Sequence, residues 1–202
     1  MSEAAYEHLL RYAHLLNVPA GLGPVEISDG QIVMAVSPST RHELAARRLR
    51  RQLDPQVPVT DPGFIAENGP EVEDPRLGVL RRPDLVVVRE EALDAPTAGV
   101  DPAEVLLAAE IVSPSNPDND YVAKMRDYPA MGIGHYLIID PRTGLVHHHT
   151  EPTGRSRDTA RYTSSREYPF GARIQVGDWQ IDTSVFPRYE AGESDRRSDP
   201  AT

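Results

Sequence analysis

Residues 81–124 read RRPDLVVVREEALDAPTAGVDPAEVLLAAEIVSPSNPDNDYVAK. This stretch contains two apolar runs, at 85–88 and 105–112, that are nearly continuous rather than alternating. Continuous apolar runs are typical of strands that are buried on both faces. We therefore expect the two runs to form the centre of a sheet, with the charged segment 89–103 as an excursion between them.

Two carboxylates stand at this predicted sheet: Asp84 precedes the first apolar run and Glu110 lies within the second. Burying an isolated carboxylate costs several kcal/mol unless it is paired or binds a metal. Two carboxylates and a scissile phosphate together suit Mg²⁺ (or Mn²⁺), which takes oxygen ligands and keeps several waters. A metal held there would polarise the phosphate and lower the pKa of an attacking water. The pair therefore predicts a metal-dependent site that cleaves phosphodiesters.

Lys124 is the third member of the predicted site. It follows Tyr121 by three residues and precedes Tyr128 by four, which places it on the inner flank of a helix. From there its ammonium could orient or help deprotonate a water and offset charge on the phosphate oxygens. The alternative is a purely structural ion pair with Glu110 or Asp120, and spacing alone leaves both interpretations open.

The rest of the chain is interpreted from periodicity and turn signals. Apolar spacing over residues 5–16 predicts an N-terminal helix packed on the domain. Asp29-Gly30 predicts a hairpin between strands 25–28 and 31–36, and residues 39–53 predict a helix capped by Ser or Thr. Further predicted pieces are an edge strand or irregular loop within 57–80, a helix over 117–128, a strand over 135–140, and β-like segments near 145–149, 159–163 and 172–176.

Length and composition bound the class of protein. The 202 residues, 39% apolar and 26% charged, suit one α/β or α+β domain, which we place at 1–189, followed by a disordered polar tail at 190–202. No apolar run approaches the roughly 20 residues that span a bilayer, and the N-terminus lacks the pattern of a signal peptide. We therefore expect a cytoplasmic protein without membrane contact. Because there is no cysteine, disulfides and thiolate zinc sites are excluded.

Charge is unevenly distributed. The net charge of −10 argues against a protein that coats nucleic acid through bulk electrostatics. Residues 39–53, however, hold five arginines against one glutamate. Arg41, Arg47 and Arg48 are therefore candidates for contacts with a nucleic-acid backbone, although they could equally be the solvated face of a surface helix.

The motifs together resemble the Uma-two family of restriction-endonuclease-like proteins, which is common in bacteria. The matching segments are 25–30, His42, 82–87, 110–115, Lys124, Tyr128, 132–133 and 136–140. The resemblance covers roughly residues 20–150. It implies the PD-(D/E)xK nuclease fold, in which a central mixed sheet is flanked by helices.

The resemblance also implies a ligand set. It assigns Asp84 and Glu110 as metal ligands. The lysine expected two residues after the second carboxylate is replaced by Val112, and in this family it is thought to have migrated to the following helix, which matches Lys124. Glu26 and His42 match further family positions and are expected to be supporting or water-orienting groups, or structural ones.

Two positions depart from the family pattern. His135 stands where relatives often carry an acid. Pro129 is expected to end or kink the helix that presents Lys124, because proline lacks the N–H that a helix interior needs.

Other candidates have simpler interpretations. His147, His148 and His149 are expected on a surface strand, where the middle side chain points away from its neighbours. No Gly-x-Ser-x-Gly motif surrounds Ser113 and Ser115, so a turn role is expected for them.

The function that these observations favour is a Mg²⁺-dependent endonuclease acting on DNA, and a homodimer is compatible with it. One alternative is a catalytically silent nuclease fold that works as a binding or regulatory protein, which the acidic net charge favours. The other is a metal-dependent hydrolase of a small phosphate compound, which would need no basic groove.

Overall fold

A six-stranded mixed sheet forms the centre of the protein in the computed structural model, which describes residues 1–95 and 99–190. The helices are α1 (Glu3–Leu15), α2 (Thr40–Leu53), α3 (Val57–Thr60) and α4 (Lys124–Met131). The strands are β1 (Leu22–Ser28), β2 (Gln31–Val36), β3 (Phe64–Glu67), β4 (Val72–Asp74), β5 (Val79–Arg81), β6 (Leu85–Arg89), β7 (Val105–Ile111), β8 (His135–Asp140), β9 (Leu145–Thr153), β10 (Arg161–Pro169), β11 (Arg173–Val176) and β12 (Trp179–Asp182).

The order of the central sheet is β10-β9-β8-β7-β6-β3. All of its neighbouring strands pair antiparallel except β7 and β8, which are parallel. The two apolar runs are β6 and β7, buried on both faces as expected. Because Leu85 pairs with Ala109, Asp84 and Glu110 come to the same level at one end of this strand pair. The expectation of a mixed central sheet flanked by helices is confirmed.

A smaller antiparallel sheet, of order β2-β1-β5-β4, lies beside the first. Its β1–β2 hairpin turns at Asp29 and Gly30, which have φ angles of 54° and 72°. Positive φ at both central residues is what a tight hairpin turn requires, so the Asp-Gly signal predicted the strands correctly. Strand β1 of this hairpin carries Glu26, whose side chain is buried.

Helix α2 begins where the sequence predicts, with the Ser39 hydroxyl accepting a hydrogen bond from the backbone N–H of His42 at 3.3 Å. The core that covers one face of the central sheet includes its buried residues Ala45, Ala46, Leu49 and Leu53. His42, in its first turn, is thereby held at the end of β6 and β7.

The segment before β8 differs from expectation. Residues Asn119–Ala123 form a π-helical turn that runs directly into α4, and α4 continues through Pro129 to Met131. Pro129 therefore does not end the helix. Proline removes one intrahelical hydrogen bond, but only two residues of α4 follow it, the turn closes on Gly132 at φ 82°, and residues 127–131 are buried. Tertiary packing thus keeps this last turn helical.

The histidine run also differs from expectation, because β9 is an interior strand between β8 and β10. His148 and His149 are buried, so the expected surface strand is wrong. The sequence signal for β10 covered only a few residues, whereas the strand is nine residues long and pairs with the whole of β9.

No helix among the described residues is long and apolar enough to cross a membrane. Of the tail expected at 190–202, only Glu190 belongs to the described part of the chain, where it forms an ion pair with Arg41. Residues 191–202 lie outside the described residues.

Candidate active site

A cavity of about 630 Å³ opens at the end of β6 and β7 where Asp84 and Glu110 meet. The β1–β2 hairpin, the start of α2, the loop before β6 and the loop after β7 wall it in. All five acidic or basic residues expected at the site line it, namely Glu26, His42, Asp84, Glu110 and Lys124. Residues far apart in sequence are therefore brought to one place.

The ammonium of Lys124 lies among carboxylates. Its Nζ is 2.8 Å from Glu110 Oε2, 3.2 Å from Asp120 Oδ1 and 3.8 Å from Glu26 Oε1. The side chain is only 6% exposed. Lys124 is the only lysine in the sequence, whose other permanent side-chain cations are all arginines. The ion pairs with Glu110 and Asp120 exist as the structural interpretation requires, and they also place the ammonium beside the proposed metal ligand.

Asp84 is tied to the strand that carries Glu110. Its Oδ2 accepts a hydrogen bond from the backbone N–H of Ile111 at 2.7 Å and lies 3.1 Å from His42 Nε2. Its Oδ1 has no protein partner among the described residues. His42 Nδ1 is likewise buried and unpaired within the described chain. The edge of the site near Asp84 thus offers one unengaged carboxylate oxygen and one orphaned ring nitrogen.

Glu26 is held by a buried arginine. Arg81 donates from Nη1 to Glu26 Oε2 at 2.8 Å and from Nη2 to Asp127 Oδ2 at 2.6 Å, and its side chain is 1% exposed. The backbone N–H of Arg82 donates to the other Glu26 oxygen at 3.1 Å. Burial raises the pKa of Glu26, but Lys124 and Arg81 outweigh it, so this pKa lies below its usual value. Glu26 is therefore an anion fixed next to Lys124.

Negative charge exceeds positive charge in the cavity. Five carboxylates line it, from Glu26, Glu43, Asp84, Glu110 and Asp120, against the two permanent cations Arg82 and Lys124. Burial raises the pKa of Glu110 well above its usual value; Lys124 opposes this and the nearby acids add to it. Burial raises the pKa of Asp120 in the same way. The protein thus concentrates more acid here than its own cations neutralise.

This donor set fits a divalent cation that prefers oxygen. The described residues contain no group of three or more His, Asp or Glu side chains arranged to hold a metal by themselves. Asp84 and Glu110 would therefore be completed by water and substrate oxygens, which is how Mg²⁺ is usually held. The free Oδ1 of Asp84 and the raised pKa of Glu110 both agree with such an ion, because a bound cation would stabilise both carboxylates.

Three functional neighbours were not assigned as site residues from the sequence. Tyr128 donates a hydrogen bond to Glu110 Oε1, Asp120 pairs with Lys124, and Arg81 fixes Glu26. Helical spacing offered a signal for two of them, since Asp120 and Tyr128 lie four residues on either side of Lys124. Arg81 carried no such signal, because its partners come from β1 and α4.

Val112, at the position where a lysine would be expected, is fully buried in the core that lies under α4. Its carbonyl accepts a hydrogen bond from the Tyr189 hydroxyl at 3.0 Å. This position therefore serves packing, and the ammonium reaches Glu110 from the helix instead.

The arginines expected to contact nucleic acid lie outside the cavity. Arg41 donates to the carbonyl of Arg188 at 2.9 Å and pairs with Glu190, and Arg48 donates to the carbonyl of Val185. Only Arg47 of the three is exposed. Two of these arginines thus bind the C-terminal segment of the described chain.

The remaining candidates have structural surroundings. His135 Nδ1 and His148 Nε2 are 3.0 Å apart, and His135 also packs against the buried ring of Trp179. Ser113 and Ser115 share a 2.9 Å hydroxyl contact in the loop after β7, at the cavity wall.

Comparisons with known proteins agree with this architecture. The crystal structure of "a putative nuclease belonging to DUF820" from Anabaena variabilis ATCC 29413 superposes with a TM-score of 0.66 at 13% identity, covering 90% of this chain and 96% of that one. At this identity the likeness shows the fold, which is restriction-endonuclease-like. No curated protein matches the sequence. The profile of Uma2, described as "Putative restriction endonuclease", matches residues 12–178. Since the match spans most of the sequence, the chain belongs to the Uma2 family.

Proposed function

We propose that this protein is a metal-dependent endonuclease that hydrolyses phosphodiester bonds in DNA. One observation carries the proposal: Lys124, supplied by a helix, lies 2.8 Å from Glu110, and Asp84 opens into the same cavity. These are the three groups that the family resemblance implies, in mutual reach. Membership of a family described as "Putative restriction endonuclease" supports the reaction class.

Asp84 and Glu110 would hold the metal. When bound, Mg²⁺ or Mn²⁺ supplies a Lewis acid for the phosphate and lowers the pKa of a bound water. The protein's own contribution is to keep the two carboxylates at one level: Asp84 Oδ2 is fixed by the Ile111 N–H, and Glu110 Oε1 by the Tyr128 hydroxyl.

Lys124 would stabilise negative charge on the phosphate oxygens. Its ammonium is already oriented by Glu110, Asp120 and Glu26, so no reorganisation is needed when charge develops. His42, with Nε2 on Asp84, would use its unpaired Nδ1 to orient water or substrate. Among the arginines of α2, the exposed Arg47 is best placed for an outlying backbone contact.

Cleavage assays test the reaction. Plasmid, linear duplex and single-stranded DNA are incubated with the protein in Mg²⁺, in Mn²⁺ and in EDTA. We expect metal-dependent cleavage that falls at least about a hundredfold in Asp84→Ala and in Lys124→Ala. Asp158→Ala, which removes an exposed acid in the loop after β9, is the matched control and should retain activity. Cleavage that survives in both site variants, or in EDTA, would contradict the proposal.

A second measurement does not depend on turnover. Because Lys124 is the only lysine, labelling lysine with ¹³C at the ε carbon alone gives a single side-chain NMR signal. We expect this signal to shift on addition of Mg²⁺ in the wild type and not in Asp84→Asn. A protein that shows the shift but cleaves no DNA would indicate a silent binding protein or a hydrolase of a small phosphate compound. A signal that ignores Mg²⁺ would contradict the metal site.

A further inference from the structure

The mouth of the cavity carries a single exposed permanent cation. Of the two permanent cations in its lining, Lys124 is buried and committed to carboxylates, whereas the Arg82 side chain is 43% exposed. Its nearest acid is Glu71, 3.8 Å away, which is too far for a strong hydrogen-bonded pair. Arg82 is thus a guanidinium available to a ligand.

The position of Arg82 is fixed although its side chain is exposed. Its backbone N–H binds Glu26, and Pro83 and Asp84 follow it directly. The guanidinium passes over Gly69, where a β-carbon would come within 3.5 Å of Nε. The cation is therefore anchored within two residues of the proposed metal ligand.

Another part of the cavity lining, here called the apolar wall, consists of aliphatic and proline side chains. It is formed by the linker after α1 and the ends of the β1–β2 hairpin, through Val18, Leu22, Pro24, Val36 and Pro38. Val36 is 46% exposed. Aliphatic and proline surfaces of this kind can cover the sugar and the face of an unstacked base, whereas the outside of a duplex presents phosphates and would leave the wall unused.

The surroundings of the cavity do not favour a duplex. None of the arginines of α2 lies in its lining, so the lining offers a second strand no permanent cation beyond Arg82 and Lys124. The reactive groups are also deep, since the side chains of Glu110 and Lys124 are 2% and 6% exposed. A single strand can enter between the walls more easily than a paired one.

We propose that the cavity binds an unpaired nucleic-acid strand, with Arg82 binding a backbone phosphate and the apolar wall that contains Val36 covering the adjoining nucleoside. This inference rests on the proposed function and names its substrate class. The acid excess means that a divalent cation assists the binding, while Arg82 provides the protein's own phosphate contact.

Binding and cleavage are measured separately. Fluorescence anisotropy in Ca²⁺ follows a labelled single strand and the same strand annealed into a duplex, and a denaturing gel of the recovered DNA reports cleavage. We expect the single strand to bind at least about tenfold more tightly. Arg82→Gln should weaken it about tenfold and reduce the salt slope by about 0.7, the value for one phosphate contact on a single strand. Arg82→Lys should keep the slope.

Two matched controls locate the effects. Arg76→Gln removes an exposed arginine of the β4–β5 turn that lies outside the cavity lining and should change nothing. Val36→Thr should weaken binding about threefold without altering the salt slope, whereas the same change at the exposed Val59 should have no effect.

The inference is overturned if the duplex binds as tightly as the single strand, or if Arg82→Gln leaves the salt slope unchanged. Equal affinities of Val36→Thr and Val59→Thr would show that the apolar wall does not contact the nucleoside. Cleavage of a duplex with no role for Arg82 would refute this inference and leave the nuclease proposal standing. Strand binding through Arg82 without any cleavage would support the strand-binding cavity and refute the nuclease proposal.

Discussion

Two regions of this protein bury ionisable side chains, and they do so in opposite ways. Around Lys124, acids and cations form ion pairs with one another, and the acids outnumber the cations. On β9, the imidazoles of His148 and His149 are kept neutral, because burial lowers the pKa of each to about 4. The histidine region, His148 and His149, is part of the packed interior. The acidic region, around Lys124, has more acidic groups than cations. A buried group indicates function only where its neighbours leave charge unbalanced.

The largest expected effect tests how much the stability of the protein depends on the buried ion pairs of the acidic region. Arg81→Leu removes the buried cation that Glu26 and Asp127 share, and removing one member of a buried pair costs about 3–5 kcal/mol. Urea unfolding should show this loss. The adjacent Arg82→Leu, which removes an exposed side chain, should change the free energy of unfolding by less than about 0.5 kcal/mol. Similar losses of unfolding free energy in both variants would mean that the buried ion pairs of Arg81 contribute no more to stability than the exposed Arg82.

The neutral imidazoles of the histidine region should make the free energy of unfolding depend on pH. His149 has a folded pKa of about 4, below its unfolded value of about 6.5, so the unfolded state takes up the proton first. Its contribution to stability is present above about pH 6.5 and is lost as the pH falls toward 4. Its ring neighbours are Tyr136, Tyr162 and His147, none of which is an acid.

His149→Phe should remove this dependence. Between about pH 7.5 and about pH 5, the unfolding free energy of the wild type should fall by about 2 kcal/mol more than that of the variant. Denaturant titrations at both pH values measure the difference. His8→Phe, at an exposed position on α1, serves as the control. Parallel pH profiles for wild type and His149→Phe would mean that the buried imidazole is not neutral.

The smallest effect concerns the charge left over in the acidic region. Mg²⁺ at about ten times its dissociation constant should stabilise the folded protein by about 1.4 kcal/mol. Thermal unfolding with and without Mg²⁺ measures this gain, which should vanish in Asp84→Asn. The His149→Phe variant should gain as much as the wild type, since its site is intact. Equal stabilisation of Asp84→Asn would place the ion elsewhere.

Much of the fold was predictable because it depends on local patterns. Asp29-Gly30 fixed a hairpin, Ser39 marked the start of α2, and the continuous apolar runs gave β6 and β7. The interior position of β9 was not predictable, since it depends on the long partner β10, whose residues are mostly polar and carry a weak strand signal.

The candidate site was predictable only in part. Asp84, Glu110 and Lys124 could be found from motif order, and helical spacing placed Lys124 on the inner side of its helix. The contacts that hold them could not be found in this way. Arg81 joins β1 to α4 across 55 residues in one direction and 46 in the other, and such pairings appear only once the sheets are assembled.

Val112 divides the groups of the site between two elements of the fold. Because Val112, directly after β7, is committed to the core, the end of the sheet carries the two carboxylates while α4 carries the ammonium. The two parts are nevertheless coupled, because Tyr128 and Lys124 of α4 both contact Glu110. A slight rotation of α4 would therefore move the ammonium and one proposed metal ligand together, so that substitutions along this helix adjust metal affinity and turnover in concert, while Asp84 stays fixed by the Ile111 N–H.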